Sequence, residues 1–206
     1  MKPDTHRGFY KHDNLPHFDD KGCLQFLTFV LADAAPRERR SHNSFQGRLD
    51  GERVFQTMDD QLDRCLGTCL LASAGAAIAF RDVLMETAED HYSLLAWVVM
   101  PNHVHLLIRQ LEHARLGDTV RLLKSRSSLR INRLLGRSGK LWQGSYFDRA
   151  MRSLDHLKHT LDYIHDNPVK AGLAACQTDW QHSSVHGFSL ESLMDTVDPR
   201  RVLRKE

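Results

Sequence analysis

The chain has no apolar run long enough to cross a membrane, which takes about 20 residues. Its opening residues, Met1-Lys2-Pro3-Asp4, lack the apolar stretch of a secretory leader. Cysteines are few: Cys23, Cys65, Cys69 and Cys176. Cys65 and Cys69 stand one helical turn apart, and no paired Cys-x-x-Cys knuckles occur, which argues against a structural zinc ribbon. No internal repeat and no low-complexity segment is present. These absences predict a soluble, reduced, cytoplasmic protein with no membrane partner. A strong net charge is also missing, since the formal balance is +2 over 206 residues. That length suits one domain with extensions and allows a proper core.

The near-neutral total hides an asymmetry. Residues 1–100 carry a balance of −4, and residues 101–206 one of +6. Between Arg115 and Lys140 there are eight Lys and Arg residues against one acid, Asp118. They are Arg115, Arg121, Lys124, Arg126, Arg130, Arg133, Arg137 and Lys140. Solvated helix faces usually mix signs, so this imbalance points to an anionic partner such as a nucleic-acid backbone.

Residues 1–23 are polar and read as an irregular N-terminal arm. Residues 24–31 (LQFLTFVL) read as a first strand. Residues 34–51 read as loop or a helix start, and residues 52–65 have helical spacing at Val54, Phe55, Met58 and Leu62. A helix is expected over 72–87, with Ala76, Ile78, Ala79, Phe80, Val83 and Leu84 turned inward. Strands are expected over 93–99 and 103–109, joined by a short Pro-Asn turn. Residues 116–135 form a long helix with an apolar stripe of Leu116, Val120, Leu123, Ile131 and Leu134. Residues 146–152 read as an edge-like strand, with Trp142 expected to contact nucleic acid and Tyr146 read as packing or as a base-stacking platform in that role. A helix follows over 154–166, capped by Ser153 or Asp155 and ended by Pro168. The predicted organisation is an arm over 1–23, a domain over 24–175 and a polar tail over 176–206.

Two stretches carry chemistry. In Met100-Pro101-Asn102-His103-Val104-His105 the alternation of a strand sends His103 and His105 to one face. Such a pair can hold a divalent cation with positions left open, or can be two partly exposed strand residues. In Tyr163-Ile164-His165-Asp166-Asn167-Pro168 the helical spacing puts Tyr163 and Asn167 on one face. Asn167 can offer an amide oxygen to a cation, and Tyr163 a phenol one turn away. If this face meets the histidines, the set suits phosphoryl transfer with a tyrosine nucleophile. A lone helical tyrosine is otherwise an ordinary core-edge residue. A phosphoesterase with a histidine nucleophile would want a further strand histidine, and position 107 is Leu.

Three segments in order, WVVMPNHVHLLI over 97–108, LWQGSYFDR over 141–149 and YIHDNPVKAGL over 163–173, resemble the REP-associated tyrosine transposases. These are relatives of the single-tyrosine HUH transposases, where HUH stands for His–hydrophobe–His. The resemblance implies an α+β, ferredoxin-like (RRM-like) fold with helices packed on a central antiparallel β-sheet. It implies cleavage of single-stranded, hairpin-forming DNA through a 5′-phosphotyrosine with Mg²⁺ or Mn²⁺, by a monomer or homodimer. Carried over by position, Tyr163 is the nucleophile, and His103, His105 and Asn167 are the metal ligands. The basic helix and the arm would bind the DNA. The competing expectation is a nucleic-acid-binding protein without nuclease activity.

Overall fold

A computed structural model describes residues 8–12, 15–34, 62–63 and 65–187. Its centre is a four-stranded antiparallel sheet of β3 (Leu24–Val30), β4 (Tyr92–Val99), β5 (His103–Gln110) and β6 (Phe147–Ala150), in the order β4-β5-β3-β6. Among the described residues three α-helices accompany it: α1 (Ala74–Thr87), α2 (Leu116–Leu134) and α3 (Leu154–Lys170). The expected ferredoxin-like α+β architecture is present. The helical pattern read over residues 52–65 lies almost wholly outside the described residues, as does most of the 34–51 loop.

Both faces of the sheet are covered, so β3 is buried along its whole length. Alternate residues feed two cores. Leu27, Phe29, Val104, Leu106 and Ile108 pack with Phe80 and Val83 of α1 and Val120, Leu123 and Ile131 of α2. Leu24, Phe26, Ala96, Val98 and Leu107 pack with Leu157, Leu161 and Ile164 of α3. The α3 face is where His103 and His105 point, because they share parity with Leu107.

Two apolar expectations fail at the rim. Ile78 is 39% exposed and Leu134 is 55% exposed, because they lie beyond the stripe that meets the sheet. Helix α2 closes with Gly136 at φ 59°, where Gly136 N donates to Arg133 O and Arg137 N to Asn132 O. This double closure is a glycine-dependent helix stop. Helix α3 starts as read, with Ser153 Oγ accepting from His156 N at 3.1 Å. It does not stop at Pro168. The helix continues to Lys170, because a proline in the last turn removes only one donor, and Leu173 N closes on the Pro168 carbonyl at 2.8 Å.

The described segments before β3 and after α3 are more structured than their polarity suggests. In place of an irregular arm, β1 (Gly8–His12) and β2 (Leu15–Asp19) form an antiparallel hairpin. Its anchor is the buried carboxylate of Asp148, which accepts from Phe18 N at 3.0 Å and bonds His17 Nδ1. Gln110 Nε2 donates to Asp19, and Gln25 Nε2 to the Phe18 carbonyl. At the other end, residues 177–187 cover the free edge of β4. Trp97 N donates to Ser184 Oγ at 2.9 Å, Val99 N to the His182 carbonyl at 2.8 Å, and Trp180 Nε1 to the Val99 carbonyl at 3.0 Å. The edge amides of Trp97 and Val99 are thereby removed from pairing with another chain. Among the described residues no helix is long and apolar enough to cross a membrane.

Candidate active site

The β4–β5 turn brings His103 and His105 to the start of β5, and α3 lies across that face. Their Nε2 atoms are 3.1 Å apart. The Tyr163 hydroxyl is 3.3 Å from His105 Nε2, and Asn167 Nδ2 donates to the same hydroxyl at 3.2 Å. The four groups expected to meet are therefore in one cluster. His103, His105 and Asn167 are buried, whereas Tyr163 is only partly so. The Tyr163 phenol therefore sits at the rim of a buried cluster.

Packing fixes each ring. Phe26 stacks on His105 with centroids 5.3 Å apart and meets Tyr163 edge-on at 5.8 Å. Thr28 stands directly opposite His105 in the β3–β5 register, and its Oγ1 lies 2.9 Å from His105 Nδ1. Asn102 Oδ1 is 2.7 Å from His103 Nδ1. With both Nδ1 atoms engaged by oxygens, both Nε2 atoms face the shared space. Lys170, exposed at the end of α3, places its ammonium 4.8 Å from the centre of the Tyr163 ring. Asn102, Thr28, Phe26 and Lys170 were not singled out from sequence as site residues. Asn102 adjoins the histidine motif but read only as a turn residue, and Thr28 becomes visible only once strand register is known.

The donor set fits a hard divalent cation. Asn167 Oδ1 is fully buried and has no hydrogen-bond partner, an arrangement that is costly unless something else meets the oxygen. The 3.1 Å between the two Nε2 atoms matches the roughly 3 Å edge between neighbouring ligands of an octahedral ion of Mg²⁺ or Mn²⁺ size. Two imidazoles and an amide oxygen leave positions free for a substrate phosphate. No group of three or more His, Cys, Asp or Glu side chains occurs among the described residues, so no richer metal centre competes there.

The residues expected to bind nucleic acid divide. Arg121, Arg126, Arg130, Arg133 and Lys140 are exposed on or just beyond α2, and Arg115 and Arg137 are half-buried at its ends. Arg130 is held by Glu86 of α1 through two bonds of 2.8 and 2.9 Å, which draws the Glu86 carboxyl below its usual range. Arg121 pairs with Asp118 at 3.2 Å. Lys124 donates to the carbonyls of Gln143 at 3.0 Å and Ser145 at 2.6 Å, so it pins that loop. Burial pushes its ammonium down to about 8.

Trp142 requires a correction. It is 3% exposed, packs edge-on to Phe29 and Phe80, and donates Nε1–H to Ser127 Oγ at 2.9 Å. Its ring has no face left for a base. Tyr146 stacks on His17 at 4.4 Å and bonds Tyr10 through its hydroxyl at 3.0 Å, and burial raises its ionisation well above the usual range. It is a packing residue that also lines a groove of about 500 Å³ beside α2, with Arg121, Lys124 and Lys140.

Comparison with known proteins agrees with this geometry. Residues 73–167 match the family model described as "Transposase IS200 like". That span contains His103, His105, Tyr163 and Asn167. A putative REP-associated tyrosine transposase of Haemophilus influenzae is 29% identical over 118 residues, covering 52% of this chain and 67% of that protein. The REP-associated tyrosine transposase of Escherichia coli is 28% identical over 107 residues, covering 52% of this chain and 62% of that protein. Among solved structures, a REP-associated tyrosine transposase bound to a REP hairpin shares the fold with a TM-score of 0.54 and 21% identity, over 83% of this chain and 81% of that one. The resemblance read from the three motifs is matched by these comparisons: over about half its length the chain is similar to REP-associated tyrosine transposases.

Proposed function

We propose that this protein is a metal-dependent single-tyrosine HUH transposase that cleaves and rejoins single-stranded, hairpin-forming DNA through a 5′-phosphotyrosine. The observation that carries this reading is the position of the Tyr163 hydroxyl, 3.3 Å from His105 Nε2 and bonded to Asn167. A solved relative is described as bound to a REP hairpin, and a repetitive palindromic hairpin is the DNA proposed here.

In this reading His103, His105 and Asn167 hold Mg²⁺ or Mn²⁺, which when bound polarises a non-bridging phosphate oxygen and offsets developing charge. Asn167 would act twice, its Nδ2–H fixing the Tyr163 hydroxyl and its otherwise unpartnered Oδ1 supplying a ligand oxygen. Tyr163 gives up its phenolic proton as its oxygen bonds to phosphorus, and the 3′ oxygen leaves as a hydroxyl. The new phosphodiester stores the energy of the broken one, so a 3′ hydroxyl can later reverse the step without water. Exposed arginines of α2 would hold the DNA backbone, while Phe26 keeps His105 and Tyr163 in mutual orientation.

The test is incubation with hairpin oligonucleotides and Mn²⁺. Cleavage of single-stranded DNA is expected, with poor cutting of plain duplex and none in Tyr163→Phe. A protein that binds the hairpin and never cuts it, with any divalent ion, would instead be the non-catalytic binder.

A further inference from the structure

We propose that Asn102 is the positioning residue that fixes the tautomer of His103, so that Nε2 of His103 presents a lone pair to the cluster. The consequence for cation affinity rests on His103 being a metal ligand; the tautomer itself does not.

The side chain of Asn102 is wholly buried and its hydrogen bonds decide its orientation. Nδ2 donates to the carbonyl of Leu62 at 3.0 Å and to that of Leu66 at 3.3 Å. Reversing the amide would set its oxygen against two carbonyl oxygens and give up both donated bonds. The amide oxygen therefore faces His103 Nδ1 at 2.7 Å. An amide oxygen only accepts, so Nδ1 must carry the proton. In a neutral imidazole the other nitrogen, Nε2, is then bare.

The backbone holds Asn102 in place from two further sides. Leu31 N donates to the Asn102 carbonyl at 2.9 Å, and Leu71 N to the Pro101 carbonyl at 3.0 Å. His105 is governed differently. Its Nδ1 meets the Thr28 hydroxyl at 2.9 Å, a group that can donate or accept. The two histidines are thus unequal: His103 is locked by an amide, whereas His105 can change tautomer as Thr28 rotates.

The test uses the full chain labelled with ¹⁵N-histidine, above the pH range in which histidine ordinarily titrates. Long-range proton–nitrogen spectra identify the protonated nitrogen of each ring, with His103 assigned by loss of its signals in His103→Gln. Wild type is expected to show His103 protonated on Nδ1. Asn102→Asp, which keeps an acceptor toward Nδ1 but gives up the two bonds to the Leu62 and Leu66 carbonyls and so lowers stability, should hold that form while folded, and Asn102→Leu should release it to a mixture or to the Nε2-protonated form. In Mn²⁺ titrations followed by electron paramagnetic resonance, Asn102→Leu should weaken binding about 10–100-fold and Asn102→Asp by less than about 3-fold.

A wild-type His103 protonated on Nε2 would overturn the proposal. So would an unchanged tautomer in folded Asn102→Leu, or equal Mn²⁺ losses in the two variants, which would mean that Asn102 acts only by anchoring residues 62–66. If Asn102→Leu does not fold, the wild-type and Asn102→Asp spectra decide alone. Wild type with the stated tautomer but no Mn²⁺ binding would uphold the positioning role and reject the metal reading.

Discussion

Tyr163 and His105 lie 58 residues apart in sequence and meet at 3.3 Å across the gap between α3 and β5. Two separate devices produce that meeting. The alternation of β5 turns His105 toward α3, and the Leu157, Leu161 and Ile164 stripe seats α3 on the sheet. Tyr163 and Asn167 lie beside that stripe, so the packing that stabilises α3 also aims the phenol.

Asn167 carries a stability–function conflict that can be measured. Its buried Oδ1 has no hydrogen-bond partner, so Asn167→Leu removes an uncompensated polar group. Thermal unfolding without added metal should shift by no more than the equivalent of about 1 kcal/mol, in either direction. Mn²⁺ binding should fall by at least about 10-fold, as expected for a lost ligand. A large destabilisation with unchanged Mn²⁺ affinity would make Asn167 a structural residue.

Trp142 should behave as core. Trp142→Ala should cost about 3–5 kcal/mol in chemical unfolding, the usual range for emptying a buried aromatic site. Trp142→Phe, which keeps most of the volume but leaves Ser127 without its donor, should cost less. Neither variant should lose hairpin affinity while it remains folded.

If α2 holds DNA as proposed, the Glu86–Arg130 pair competes with the phosphates for the guanidinium. Arg126→Ala should weaken hairpin binding and reduce the slope of log affinity against log salt by about 0.7–0.9, one phosphate contact. Glu86→Gln should act oppositely and tighten binding, because it releases the Arg130 guanidinium. Binding insensitive to salt in wild type would remove α2 from the DNA interface.

Lys124 makes a pH prediction. Burial holds its ammonium at about 8 in the folded chain, below the ordinary 10.5. Between these values the unfolded chain binds more protons than the folded one, so Lys124 contributes increasing stability as pH rises through that window. The stability of wild type relative to Lys124→Met should therefore climb from pH 8 to pH 10.5. A difference that stays flat, or falls, would contradict the burial of the ammonium.

Much of the site was readable because its chemistry is local. The i, i+2 histidines and the i, i+4 Tyr163 and Asn167 need only the period of a strand and of a helix. The three motifs then indicated that the two pieces belong together. Partnerships between distant residues were not readable. Nothing adjacent to His17 or Asp148 announces their bond, so the hairpin looked like loose polar chain. Thr28 acquires its role only from the β3–β5 register. Trp142 was misassigned because an aromatic in a Gly- and Ser-rich loop suggests exposure, whereas Phe29, Phe80 and Ser127 enclose it. The tail looked polar because its contribution to β4 is made largely by backbone carbonyls and hydroxyls.

The most direct measurement is mass spectrometry of the peptide containing Tyr163 after reaction with a hairpin oligonucleotide and Mn²⁺. The account predicts a DNA fragment joined by its 5′ phosphate to the Tyr163 oxygen, absent when His103 or His105 is replaced by Ala. Cleaved DNA with Tyr163 unmodified at every time point, or an adduct on Tyr10, Tyr92 or Tyr146, would contradict it.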